Sequence, residues 1–179
     1  FIEFLNRYYV SVHFPITVVF LLWVLLWHGE WYRVVRNWLI GLTSIGFVIH
    51  VLFPLAPPRM MPGFVDTLRR FGPNIYPSDP NASVANQFAA MPSLHFGWSV
   101  VVAVGFVLIV RKRWALVALL HPLLTLTAIV ATGNHYFLDA TVAGVLVALV
   151  AVAMPGVRRL LRSPAGLAAD LPDLPELSE

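Results

Sequence analysis

The chain has 179 residues, a length suited to one domain. Hydrophobic residues make up 59% of it and charged residues only 12%, with a mean hydropathy of +0.77; a soluble globular protein carries roughly 25% charged residues, so this apolar surface must face lipid. It has no cysteine, which excludes disulfides and thiolate metal sites, and its formal charge of +3 comes from basic residues that flank apolar runs without interleaved aromatics, which excludes nucleic acid as a partner.

Residues 1–10 read either as the end of a span that begins before Phe1 or as an interfacial helix. Five apolar runs then approach or reach the roughly 17–25 residues that cross a bilayer as a helix. They lie at about 11–27, 38–54, 92–110, 114–132 and 137–154. All are expected to be helical, because lipid leaves backbone polar groups no other partner. Pro15 and Pro122 are expected to kink their helices. Ala140, Gly144 and Ala148 recur every fourth position, which suits close helix packing. The expected fold is an all-α integral-membrane helical bundle with five transmembrane helices in this chain, six in the full-length protein, and a long extracytoplasmic loop.

That loop, about 55–91, carries Pro57, Pro58, Pro62, Pro73, Pro77 and Pro80. Within it, Val65, Leu68 and Phe71 fall at helical spacing in a short amphipathic stretch over 64–71, which would lie on the membrane surface as part of a lid. From Ser163 the chain is rich in Pro, Leu and acid and reads as a disordered cytoplasmic tail over 163–179. Residues 1–162 form the single transmembrane domain.

Orientation follows from Arg and Lys. With alternating spans, Arg33, Arg36, Arg111, Lys112, Arg113, Arg158, Arg159 and Arg162 all fall on one side, which is therefore cytoplasmic. Trp27, Trp31, Tyr32, Trp38 and Trp114 are expected to form an aromatic belt there.

The opposite face collects the chemistry. Met91-Pro92-Ser93-Leu94-His95 opens the third span from outside, and Gly133-Asn134-His135-Tyr136-Phe137-Leu138-Asp139 opens the fifth from outside; Arg59 ends the second on the same face. Ionisable groups at such positions cost roughly 2.5–3.5 kcal/mol near a helix centre, so they are functional candidates by default. His135 and Asp139, four residues apart, share one helix face, about 6 Å apart along the axis. The carboxylate can accept from one imidazole nitrogen and leave the other free to attack. Asn134 suits the N-cap of this helix and Pro92 the first turn of the other. Both helix N-termini then point free N–H groups at one place, which suits a phosphate, and Arg59 adds a fork-shaped donor.

Two histidines suffice for phosphoryl transfer without a metal: His135 attacks phosphorus and His95 serves as acid and base. Each group also has a plainer reading. A lone histidine at a helix end is usually structural, and His13, His50 and His121 are set aside on that ground, although His13 and His50 lie near the outer face. Ser93 either binds phosphate or satisfies a turn, and Arg59 either grips phosphate or anchors the interface. A His/His/Asp metal site is chemically possible from the same residues.

The pair Pro92-Ser93-Leu94-His95 and His135-Tyr136-Phe137-Leu138-Asp139 resembles the type 2 phosphatidic acid phosphatase superfamily, whose membrane members carry P-S-G-H and S-R-x5-H-x3-D motifs on a six-span core. The resemblance covers about 38–154. It implies that His135 is the nucleophile, Asp139 its orienting partner and His95 the leaving-group acid, with no metal and no cofactor. The chain departs from the motifs at Leu94, Ala128 and Ile129, and aligning the K-x6-R-P motif on Arg59 places Leu52 and Met60 where Lys and Pro would stand. One permanent cation is left to grip the substrate, which suits a phosphodiester better than a phosphomonoester dianion. Ala56-Pro57-Pro58-Arg59 and the two histidine motifs look most like the inositol phosphorylceramide synthase branch.

The resulting expectation is a multi-pass protein of the plasma membrane, bacterial inner-membrane type, with its site on the extracytoplasmic face: His135, His95 and Asp139 catalytic, Arg59 and Ser93 phosphate-binding. Its partners are a membrane lipid phosphoester and, as acceptor, water or a second lipid. The competing expectations are a non-catalytic lipid-phosphate transporter or scaffold and a metal-dependent intramembrane hydrolase.

Overall fold

The computed structural model describes residues 1–73 and 87–162; the expected tail over 163–179 and the middle of the long connection lie outside the described residues. The helices run α1 (Ile2–Ser11), α2 (His13–Trp27), α3 (Gly29–Leu52), α4 (Thr67–Phe71), α5 (Leu94–Val110), α6 (Leu120–Ala131), α7 (Phe137–Ala153) and α8 (Pro155–Arg162).

Two helical stretches, Gly29–Leu52 and Arg113–Ala131, are long and apolar enough to cross a membrane, and four are if each bent pair, α1 with α2 and α7 with α8, counts as one span. Of the five expected spans, two to four are therefore supported by length and composition among the described residues. The third expected span is the shorter helix α5, whose 17 residues reach only about 25 Å at 1.5 Å per residue, against a hydrocarbon core of about 30 Å.

Residues 2–11 are helical, as either reading of 1–10 has them, and form a bent pair with α2, the first expected span. Asn6 is fully buried: its Nδ2 donates to the carbonyls of Thr67 (2.8 Å) and Gly72 (3.0 Å), and its Oδ1 accepts from the Thr67 hydroxyl (3.0 Å). Polar residues that broke the hydropathy run therefore pin α1 to α4. The α1–α2 pair bends by 42° at Val12. Pro15 explains the break, since it has no N–H to give the Ser11 carbonyl one turn back. Pro122 acts alike: it cannot donate to the Ala118 carbonyl, and the chain runs as a 3-10 helix over Arg113–Leu119 before α6.

α3 begins nine residues before the expected second span, with Arg33 and Arg36 on its exposed side. Trp38 is not an interfacial belt residue. It is 2% exposed, in the core between α2, α3, α5 and α7, and its indole N–H donates to the Val147 carbonyl at 3.0 Å. Trp27 and Trp114 are exposed as a belt requires. On α7 the buried face is Ala140, Ala143, Val147 and Val150, while Ala148 is exposed, so the four-residue stripe is not the contact. Close approach occurs instead between α3 and α5: a Cβ on Gly46 would lie 2.6 Å from Leu94 Cδ2, and one on Gly97 2.9 Å from Leu42 Cδ2.

In the long connection, Leu55 pairs with Ala89 in an isolated parallel bridge, which ties the two ends of the connection together. The expected amphipathic helix is only α4. Leu68 is fully buried against Tyr9, Ile129 and Ala140, whereas Val65 and Phe71 are about half exposed, so the three do not share one environment. α8 leaves α7 at 91°, with Val157 and Leu160 turned inward and its arginines exposed.

Candidate active site

His135 precedes the first turn of α7 rather than lying within it; the helix begins at Phe137 with Tyr136 as N-cap. The His135 backbone N–H donates to the Ile129 carbonyl (3.0 Å), which seats the residue at the end of α6. Its Nδ1–H donates to the Ala90 carbonyl at 2.7 Å, and Asp139 Oδ2 stands 3.5 Å from the same nitrogen. A carbonyl only accepts, so Nδ1 carries the proton and Nε2 holds the lone pair. Asp139 is chiefly a helix cap: its Oδ2 accepts the Tyr136 N–H at 2.8 Å, and the carboxylate is 3% exposed at residue level. The tautomer expected from the carboxylate is thus set first by the backbone of Ala90, itself held by its N–H to the Leu55 carbonyl (3.2 Å).

Asn134, expected as the N-cap, is instead buried before it. Its Nδ2 donates to the Thr132 hydroxyl (2.7 Å), while its Oδ1 has no hydrogen-bond partner among the described residues. Ser93 is fully buried, its hydroxyl accepting the Phe96 N–H at 3.4 Å as the N-cap of α5. The Ser93 N–H donates to the Asp139 carbonyl at 3.1 Å, which joins the two helix starts. Of the two expected roles for Ser93, the turn-satisfying one matches this position. Some of the N–H groups expected to await an anion are taken up by these caps.

Arg59 lies in a 3-10 turn, Pro58–Met60, past the end of α3. Its backbone N–H donates to the Gly133 carbonyl (2.9 Å), and Gly133 takes a positive φ of 69° in the loop that leads to His135. The Arg59 side chain is 3% exposed, with Nη1 3.7 Å from Asp66 Oδ2.

These elements enclose a cavity of about 510 Å³. His95, His135 and Arg59 line it together; Asp139 and Ser93 are not among its lining residues. His13, His50, Tyr9, Asn134 and Gln87 also line it, and so does Trp98. His50 Nε2–H donates to the Pro92 carbonyl at 3.0 Å. His13 and His50 were legible as histidines near the outer ends of their spans, but nothing in the sequence placed α2 and α3 against the same space. One guanidinium, four imidazoles and no carboxylate line the cavity among the described residues, which suits an anion. Its edge reaches the apolar outer surface at Phe14, Phe47 and Val51, which are 52%, 66% and 65% exposed. No group of three or more potential metal ligands is arranged to hold an ion among the described residues.

No curated protein and no solved structure matches the chain. A family model of the PAP2 superfamily matches residues 1–154, a stretch that includes every residue of the cavity and all helices through α7. Membership of this family goes with phosphatase or phosphotransferase activity on phosphoesters. The chain, a bundle of apolar helices around an anion-suited cavity, belongs to the PAP2 superfamily.

Proposed function

We propose that this protein is an integral-membrane enzyme that cleaves a lipid phosphoester through a phosphohistidine on His135. The observation that carries the reading is the shared cavity: His95 and His135, forty residues apart, line one space with Arg59, and that space reaches an exposed apolar rim.

In the first half-reaction the Nε2 lone pair of His135 attacks phosphorus. The bond from phosphorus to the ester oxygen breaks, and that oxygen takes a proton from His95. Arg59 binds the non-bridging oxygens. In the second half-reaction His95 takes a proton from water or from a lipid hydroxyl. The resulting oxygen attacks phosphorus, the P–N bond breaks and both imidazoles return to their starting states. Asp139 sits where it steadies positive charge on His135 as the P–N bond forms.

Phosphodiester lipids are the favoured substrate class. Arg59 is the one permanent cation among the described lining residues, and Asp66 offsets part of its charge. A site so equipped suits a singly charged phosphodiester better than a dianion. The exposed aromatic and aliphatic rim formed by Phe14, Phe47 and Val51 supports access from the bilayer. The transfer reaction, with a lipid hydroxyl in place of water, follows the inositol-phosphotransferase-like pattern of the sequence.

Product analysis tests this. The purified protein is incubated with phosphomonoester and phosphodiester lipids, with and without a chelator. Release of a phospho-headgroup, or formation of a new phospholipid, unchanged by chelator, is expected. Release of inorganic phosphate alone would identify a monoester phosphatase, chelator-sensitive turnover a metal enzyme, and no product from any lipid a transporter or scaffold.

A further inference from the structure

Four rings from four different helices form one continuous run of contacts. Tyr9 of α1 meets His95 of α5 with ring centroids 4.4 Å apart; His95 meets His13 of α2 at 4.9 Å; His13 meets His121 of α6 at 5.9 Å. The interplanar angles of 31°, 42° and 23° make these face contacts more than edge contacts. Phe14 meets His95 edge-on, at 5.9 Å and 80°.

The far end of the run is anchored. The Tyr8 hydroxyl is hydrogen-bonded to His121 Nδ1 at 2.6 Å and to the Thr125 hydroxyl at 3.1 Å. His13 is 1% exposed, and its Nδ1 is buried without a hydrogen-bond partner among the described residues. It meets His95 through its ring. The α1–α2 elbow makes the arrangement: the 42° bend at Val12 lets Tyr9, His13 and Phe14 all reach the His95 ring.

We propose that His13, with Tyr9, is a positioning residue for His95: the flanking rings hold the His95 imidazole in the orientation that delivers its proton to the leaving oxygen. This rests on the assignment of His95 as acid and base. An acid must come within about 2.6–3.2 Å of the oxygen it protonates, and a misplacement near 1 Å costs about 100-fold in rate. An imidazole flanked by packed rings has lost the side-chain rotations that would take it out of range.

The test is the dependence on leaving group. The full chain is assayed on a lipid phosphoester with an alkoxide leaving group and on a p-nitrophenyl phosphoester, whose leaving group departs without a proton. His13→Ala is expected to lower kcat on the alkyl ester by about 10–100-fold with KM within about twofold, and to lower turnover of the nitrophenyl ester by less than about threefold. His13→Phe, which keeps a ring face, is expected to recover most of the lost turnover. Equal losses on both esters, or a His13→Phe enzyme as impaired as His13→Ala, would overturn the proposal. His95→Ala separates the two levels. If its own loss ignores the leaving group, the assignment of His95 falls and this inference with it; if only the His13 loss ignores it, the assignment stands and this inference alone falls. Should His13→Ala fail to fold, Tyr9→Leu carries the same comparison.

Discussion

The imidazole of His135 is held by the backbone of Ala90: Nδ1–H donates to that carbonyl at 2.7 Å, a shorter contact than the 3.5 Å to Asp139. In a serine-protease triad, replacing the aspartate by asparagine yields the wrong histidine tautomer and costs about 10⁴-fold. Here the carbonyl fixes the tautomer whatever stands at position 139. Asp139→Asn is therefore expected to lower kcat by only about 10–100-fold, from weaker support of charge on His135. Steady-state kinetics check this, and a loss near 10⁴-fold would return the orienting role to the carboxylate.

Arg59 is expected to tolerate neither loss nor a point charge in its place. A lysine cannot reproduce the planar fork, and its single ammonium would be drawn to Asp66, whose Oδ2 lies 3.7 Å from Arg59 Nη1. Arg59→Lys should lower kcat/KM by about tenfold and Arg59→Gln by about 100-fold or more, in line with removal of a charged donor from a transferring phosphoryl group. Equal activity of the lysine variant would place Arg59 outside the phosphate's reach.

The pH dependence follows from the division of labour. In the first step one imidazole must be neutral to attack phosphorus, and the other must carry the proton that the leaving oxygen takes. A bell-shaped kcat/KM profile is expected, and His95→Ala should remove its basic limb. A profile lacking either limb would contradict two-histidine catalysis.

Stability also has a specific test. Asn6 is fully buried, and its side chain makes three hydrogen bonds to the α4 segment. Asn6→Leu leaves the Thr67 hydroxyl its bond to the Thr132 carbonyl but strips the Thr67 and Gly72 carbonyls of their side-chain donor. A loss of about 2–3 kcal/mol is expected, read as a lower Tm of the detergent-solubilised protein.

How far the sequence could be read follows from what each residue depends on. His95 and His135 were legible because each sits where a polar connection meets an apolar run, and alternation of spans put both on one face. Arg59 was legible by the same alternation. The tertiary partners of the helix over 2–11 were not, because Glu3, Asn6 and Arg7 interrupt the apolar run, and only α4 and α6 supply what Asn6, Tyr8 and Leu5 need. His13 and His50 look like ordinary helix-end histidines until the packing of α2, α3 and α5 is known. Ala90 carries no chemical signal at all: its part is played by a backbone carbonyl, which no residue type announces. Ser93 was ambiguous because a cap and a phosphate ligand call for the same hydroxyl.

The central claim is that His135 carries the phosphoryl group. Brief incubation with a lipid labelled at phosphorus, followed by denaturation, tests it directly. The account predicts a base-stable, acid-labile label on the protein, mapping to the peptide that contains His135 and absent from His135→Ala. Product formed without any such label, or a label that survives in His135→Ala, would contradict it.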